Sequence, residues 1–424
     1  MKVLFITDNF PPEVNAPATR TYEHCKEWIK LGADVTILTC APNFPMGKVF
    51  KGYKNKIFQT EIFDGIKVIR VWSYISANKG FLKRILDYLS FSLSSFIAGL
   101  FIKSDIIIAT SPQFFTTLSA FCLSVLKRKP WIFELRDLWP DSIIAVGAMK
   151  DSVIIKYLNY LEVFLYKKAN LIISLTMAFK ENLIKKGIDE NKIKVVTNGS
   201  NLELFSPRLK DLKILEDLRL QDKFIIGYIG THGMAHGLDF IVNTISKIED
   251  RDMHFLFIGD GAKKREIEDI ARKKEIENIT FLDPVCKDDV PGYLSIIDIS
   301  LVPLKKSDTF KTVIPSKIFE SSAMQKPTLL GVEGHAKDII EDYNAGICFE
   351  PENEADFIEK LKVLKSDKNL YQDFQDGCSR LASDFNRIKL ARQMYEYITN
   401  DDKVTSNIGI NDVEVIEENL EYSV

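Results

Sequence analysis

Histidine is scarce in this chain, five in 424 residues, and its six cysteines (Cys25, Cys40, Cys122, Cys286, Cys348 and Cys378) include no Cys-x-x-Cys pair. That spacing argues against the common structural zinc arrangements and against a disulfide framework, and it fits a reducing compartment. Charge of one sign is missing too. Lys and Arg number 56 against 59 Asp and Glu, a net of −3, so no overall field draws in a nucleic acid. The first residues carry a lone Lys2 and a short apolar run that stops at Asp8, with no small-residue cleavage pattern, and do not read as a secretory leader. Long apolar runs are nearly absent. The exception is residues 85–102 (ILDYLSFSLSSFIAGLFI), with Asp87 as the single charge, Lys83 and Arg84 before it and Lys103 after it. This length approaches the lower limit of a bilayer span, about 17–25 residues. Spanning would separate the first strands from the rest of their sheet and break it. Two readings stay open: a helix buried between a sheet and its neighbours, or a helix with one face in a membrane interface.

What is present is a globular balance, 46% hydrophobic and 27% charged residues, enough for a sizeable core over a length that calls for two or three domains. Residues 2–7 (KVLFIT) read as a buried strand, 21–31 as a helix closed by Gly32, and 34–39 (DVTILT) as a second strand, which together make a βαβ unit. Further strands are expected at 66–71, 105–110, 131–135, 171–174 and 193–197. The alternation restarts at 224–229 (FIIGYI) and continues at 254–258, 279–281, 299–302, 328–331 and 346–349. The polar stretch 206–223 separates the two runs. The expected fold class is α/β, with two Rossmann-like domains whose strand ends face a shared cleft. Residues 385–398 read as a terminal amphipathic helix. Residues 400–424 are acidic, lack an apolar period and read as a poorly ordered tail.

Several segments, in order, resemble retaining GT-B glycosyltransferases of family 4. They are Pro11-Pro12-Glu13 after the first strand, Asn198-Gly199-Ser200-Asn201 followed by Phe205-Ser206-Pro207, Gly230 through Gly237, and Pro315-Ser316-Lys317-Ile318-Phe319-Glu320. Arg136-Asp137-Leu138-Trp139-Pro140, with Pro315-Ser316-Lys317, is similar to L-fucosamine-type transferases of bacterial O-antigen and capsule synthesis. The resemblance covers about residues 1–399. It implies the GT-B arrangement, with an acceptor-binding domain over 1–205, a donor-binding domain over 206–384, and a helix over 385–399 returning to the first. It also implies a UDP-sugar donor, such as one carrying an N-acetylated 6-deoxyhexose (L-FucNAc), and an undecaprenyl-diphosphate-linked saccharide as acceptor. Transfer would proceed with retention, no metal and no cofactor. The place implied is cytoplasmic, at the inner face of a bacterial plasma membrane; contact with that surface through 83–103 goes with the interfacial reading of the apolar helix.

The same resemblance assigns roles. Glu320 stands where a carboxylate accepts hydrogen bonds from the ribose hydroxyls, two neighbouring donors matched to two oxygens. Pro315, Ser316 and Lys317 open a helix whose free N–H groups suit a diphosphate, with Lys317 adding a cation. Pro284 and Val285 follow a strand where relatives hold the base by backbone groups. Gly230 permits close approach, while Thr231 and His236 stand where many relatives carry Arg and Lys. Thr312 stands where relatives carry the Glu that touches the donor sugar, so the sugar's identity departs from the common pattern. On the acceptor side the candidates are Glu13, Asn15, Arg20 and Arg136, the last where many relatives have His. Arg136 stays charged and is no base; it clamps an anion or forms a buried pair with Asp137. Arg136, Asp137 and Lys317 are the candidate catalytic residues. Two rival readings are a UDP-sugar 2-epimerase on the same fold and a non-catalytic partner subunit, the second motivated by Thr231, Thr312 and Arg136.

Overall fold

The computed structural model describes residues 1–76, 81–111, 113–139, 153–401 and 404. The first eight strands, β1 (Lys2–Ile6), β2 (Asp34–Cys40), β3 (Phe58–Phe63), β4 (Ile66–Val71), β5 (Ile106–Thr110), β6 (Trp131–Leu135), β7 (Leu171–Ser174) and β8 (Ile193–Val195), form one sheet in the order β3-β4-β2-β1-β5-β6-β7-β8. Six more, β9 (Phe224–Ile229), β10 (Met253–Ile258), β11 (Ile279–Leu282), β12 (Ile299–Pro303), β13 (Thr328–Gly331) and β14 (Gly346–Cys348), form a second sheet in the order β11-β10-β9-β12-β13-β14. Every pairing is parallel except β3 with β4. The central strands β5 and β6 are buried along their whole length, so they carry continuous apolar runs and stand out in the sequence. The added strand β3 does not. Its residues alternate between exposed and half-buried, and it reaches β4 through Asp64 and Gly65, both at positive φ as a tight hairpin demands.

Strand order reverses between β1 and β5 in one sheet and between β9 and β12 in the other. Ligands in such sheets bind beyond the carboxyl ends of the strands at that reversal. On one face of the first sheet lie the helices Ala16–Lys30 and Arg387–Thr399, joined through Trp28, Met394 and Ile398, with Trp28 Nε1 donating to the Ala391 carbonyl at 2.8 Å. The chain crosses between domains at Gly199 and crosses back at Phe385–Arg387, where Ser200 pairs with Asn386. The two crossings touch so closely that a Cβ on Gly199 would lie 2.1 Å from the Phe385 carbonyl oxygen. The stretch 206–223 is not plain linker. It holds the helix Leu212–Leu218, which Asp211 caps by accepting from the Lys213 and Ile214 amides.

The other face of the first sheet carries the helices Phe81–Leu100, Phe115–Lys127 and Val153–Lys168. The apolar run at 85–102 falls mainly in the first of these. Phe91 and Ala98 face the core while Leu86, Leu89, Leu93 and Ile97 are exposed, so the helix is buried on one side only. No helix among the described residues is long and apolar enough to cross a membrane. The tail at 405–424 and the Arg84 side chain lie outside the described residues.

Candidate active site

One half of the candidate site is built on the loops that follow β9, β10 and β12. Gly230, at φ +140°, leaves β9 beside Lys317; a Cβ here would lie 2.8 Å from Lys317 Cε, so only glycine fits without moving that side chain. Lys317 begins the short helix Lys317–Ala323, and Pro315 lies just before it rather than within its first turn. The ammonium sits over the Tyr228 ring, 3.3 Å from its centre, buried and without a hydrogen-bond acceptor. Burial drives its pKa well below the usual lysine value, with Glu320 pulling the other way. A ring face offsets only part of the cost of an unpaired buried cation.

Two histidines share this pocket. His236 is held down at about 3 by burial and then by Lys317, and its Nδ1 has no partner. His232, fully buried, is held down at about 4 by burial, Lys317 and Lys264 against the opposing pull of Asp260, and neither of its ring nitrogens has a partner. Both are therefore neutral near pH 7. Thr231 is exposed; its carbonyl accepts from the Tyr228 hydroxyl at 2.5 Å. His232 was not among the residues singled out from the sequence, and neither was Gly259-Asp260-Gly261. The His232 amide donates to the Asp260 carbonyl at 2.8 Å, and a Cβ on Gly259 would meet the Gly230 carbonyl at 2.0 Å. The two loops interlock, and the paired glycines at a strand end were the available signal.

Glu320 lies in the first turn of its helix and is ion-paired with Lys287, whose ammonium also lies 4.7 Å above the Phe205 ring. Lys287 is another residue the sequence did not single out. Val285 packs against the cluster that contains Phe205, while Pro284 is exposed beside the Asp283–Lys264 pair at 2.6 Å. Ser316 is half-buried. Thr312 closes a 3-10 turn by donating to the Thr309 carbonyl at 2.8 Å; its own carbonyl accepts from Thr176 of the first domain at 3.4 Å, a contact across the cleft.

The other half lies at the carboxyl ends of β1, β2, β4 and β5, around a cavity of about 220 Å³ lined by Asp8, Asn9, Asn15, Asn43, Ser73 and Asp87 among others. Asn15 caps the helix Ala16–Lys30 and donates to Asn9 at 2.5 Å. Asp8 is pushed up to about 6, mainly by burial and also by Asp87, against hydrogen bonds and Arg136. Glu13 accepts from the Asn43 and Phe44 amides at 2.7 and 2.8 Å, and burial raises it to about 7. Arg136 turns to the Pro17 carbonyl at 3.2 Å rather than to Asp137, and burial lowers it to about 10, so it keeps its charge at neutral pH. The Asp137 and Arg136 amides both donate to the Ser111 hydroxyl oxygen, at 3.3 and 2.8 Å.

Arg20, a candidate for the acceptor, is buried away from the cavity. It is not in a loop facing an acceptor. It lies in the helix, 1% exposed, paired with Glu134 at 2.8 Å and donating to the Val196 and Thr197 carbonyls at 2.9 and 2.6 Å. Every donor group points inward to the end of the first domain, so Arg20 ties β6 to the crossing segment. Among the described residues no group of three or more His, Cys, Asp or Glu is placed to hold a metal ion.

Two α/β domains, each with its strand order reversing within a mostly parallel sheet, are the arrangement of the GT-B fold. The sequence signature "Glycosyltransferase Family 4" covers residues 17–204 and "Glycosyl transferases group 1" covers 223–367, so the chain is a GT-B glycosyltransferase built from these two family domains. It is similar to an Escherichia coli (strain K12) protein provisionally named colanic acid biosynthesis glycosyl transferase WcaI, 24% identical over 83% of this chain and 89% of that one. A Bacillus subtilis (strain 168) protein, provisionally the teichuronic acid biosynthesis glycosyltransferase TuaH, is 27% identical over 47% of this chain and 49% of that one. In fold it resembles Anabaena HepE, solved with UDP and glucose, at a TM-score of 0.71 and 15% identity, over 94% of this chain and all of that one.

Proposed function

We propose that this glycosyltransferase moves a sugar from a UDP-sugar onto a lipid-diphosphate-linked saccharide, with retention, in the synthesis of a bacterial surface polysaccharide. The observation that carries the donor reading is the Lys317 ammonium, buried beside Gly230 with no acceptor. A diphosphate bound there supplies the missing anion, and Lys317 then stabilises the charge that grows on the leaving group. His236 adds a donor once a phosphate oxygen is near. Glu320 accepts from the ribose hydroxyls, Pro284 and Val285 bound the base, and Thr312 with Ser316 faces the sugar. UDP is favoured because HepE holds it on the same fold.

On the other side Glu13, Asn15 and Arg136 meet the acceptor, Arg136 as the cation for its diphosphate and Asp137 beside it. Attack from the face the diphosphate leaves, with a phosphate oxygen taking the acceptor proton, needs no separate base. The donor sugar in this reading is an N-acetylated 6-deoxyhexose such as L-FucNAc, suited to the loss of a carboxylate at Thr312. O-antigen or capsule is the product class, in keeping with the polysaccharide pathways named for WcaI and TuaH. The enzyme works without metal or cofactor at the inner face of the plasma membrane. In this reading the domains are 1–205 and 206–384, with 385–399 returning to the first, and Phe205 at the limit already packs with Ile225 and Leu256 of the second.

The test is thermal stability with UDP, GDP and ADP. Saturation at a hundred times Kd adds about 2.7 kcal/mol, or roughly 5–10 °C at about 2–4 °C per kcal/mol. UDP alone should give this shift, and Glu320→Ala should remove most of it. No shift with any nucleotide overturns the donor reading.

A further inference from the structure

The three helices Phe81–Leu100, Phe115–Lys127 and Val153–Lys168 lie side by side on one face of the first sheet and are tied together. Ser95 donates to Ser119 at 3.0 Å, and Phe121 meets Phe164 edge-on at 5.2 Å. Their inner faces bury Phe91, Leu123 and Leu165. Their outer faces are also apolar. The first presents Leu86, Leu89, Leu93, Ile97 and Leu100 at spacings of three and four, one stripe of a helix. The third presents Val153, Tyr157, Tyr160 and Phe164 at the same spacings, with the two tyrosines 71% and 77% exposed. Between them Val125 and Leu126 are exposed. Scattered exposed apolar residues mean nothing, but two parallel stripes with a third helix between them make one continuous patch.

The charge on this face has one sign. Among the described residues of the three helices the acids are Asp87, which accepts from Ser73 at 2.5 Å, and Glu162, which is fully buried. No exposed carboxylate remains. Lys83, Lys156, Lys167 and Lys168 are exposed on the helices, with Lys103 and Arg128 just beyond the ends of the first two. Long cationic side chains beside an apolar face, with tyrosines on it, match a headgroup layer that is apolar below and anionic above. A partner protein of mixed surface charge would call for acids as well as bases here.

We propose that this three-helix face rests on the surface of an anionic lipid bilayer. The contact is broader than the segment 83–103, and the helix Val153–Lys168 supplies its aromatic part. The proposal rests on the function above for its purpose and adds the orientation. Leu86 and Leu89 lie on the helix whose inner residues Asp87, Tyr88 and Phe91 line the acceptor-side cavity. A saccharide anchored by lipid in that bilayer is thereby offered to the cavity from the side.

Flotation of the full chain with vesicles of phosphatidylglycerol and phosphatidylcholine tests this, with phosphatidylcholine alone as the comparison. The wild type should float with the anionic vesicles and at least tenfold less with the neutral ones. Tyr157→Asp with Tyr160→Asp, and separately Lys167→Glu with Lys168→Glu, should each cut the bound fraction about tenfold while the UDP-dependent rise in Tm persists. Absent flotation of the wild type, or flotation unchanged in both double variants, overturns the proposal. So does a wild-type dimer that the tyrosine variant splits, which assigns the face to a second copy of the chain. Normal flotation with no UDP shift in the wild type instead overturns the donor reading and leaves this surface standing.

Discussion

The ammonium of Lys317 stands 3.3 Å from the centre of the Tyr228 ring and has no hydrogen-bond acceptor. Burying this ammonium without an acceptor costs stability, and an anion beside it offsets that cost. Lys317→Met should leave the ligand-free Tm equal to the wild type's or above it, while removing the UDP-dependent rise. Calorimetry of both forms with and without UDP checks the pair of signs. A methionine variant that still shows the full rise would place the diphosphate elsewhere.

Gly230→Ala should act on the same site by another route. The added Cβ meets Lys317 Cε, and φ +140° disfavours any side chain. Overpacking costs about 1–3 kcal/mol, and the displaced ammonium should weaken UDP at least tenfold by titration calorimetry. Unaltered affinity would show that Lys317 need not stand where it does.

Acid should weaken the fold through the histidines. His232 and His236 are held at about 4 and about 3, below the 6.5 expected in the unfolded chain. Between these values the unfolded state binds protons that the native state refuses, so stability falls as pH drops from about 6.5 toward 4 and is unaffected above. By pH 4 each group accounts for about 3 kcal/mol, as an order of magnitude. His236→Gln should flatten the loss in a urea series taken from pH 7 to pH 4.

Glu13 should show the opposite sign. Its folded pKa of about 7 exceeds the ordinary 4.5. Stability is therefore lost as pH rises from about 4.5 to 7, and the native state carries the cost at pH 8. Glu13→Gln keeps an oxygen for the Asn43 and Phe44 amides and removes the charge. It should raise Tm at pH 8 and change it little at pH 4, and equal changes at both would exclude titration as the cause.

Arg20 should behave as a structural cation. Arg20→Met leaves Glu134 buried without its partner, at a cost of about 3–5 kcal/mol. Arg20→Met with Glu134→Leu should recover much of it, since the pair is then replaced on both sides. If instead Arg20→Met folds normally and raises only the KM for acceptor, the ion pair is not what holds this residue.

The fold was legible where burial made it so. Strands β4, β6, β7, β9 and β13 begin and end where their apolar runs do, because strands covered on both faces carry no polar alternation. Strand β3 was not legible, since an edge strand with one wet face mixes Gln59, Thr60 and Glu61 into its pattern. In the site, Gly230 and Lys317 were suggested by resemblance, and the structure puts them side by side. His232 and Asp260 could not be paired from sequence, because two loops that interlock across neighbouring strands leave no spacing to read. Arg20 misled for a related reason: a charged residue near a helix start is usually wet, and only the tertiary fold brings Glu134 to it.

The helix Arg387–Thr399 has a consequence for the order of synthesis. It covers Trp28 on the first domain, yet it is made after the whole second domain. At roughly 5–20 residues per second, the ribosome delivers it some ten to forty seconds after β8. Throughout that interval the first domain waits with the groove beside Trp28 open, and the second domain has to be synthesised before the first can be closed.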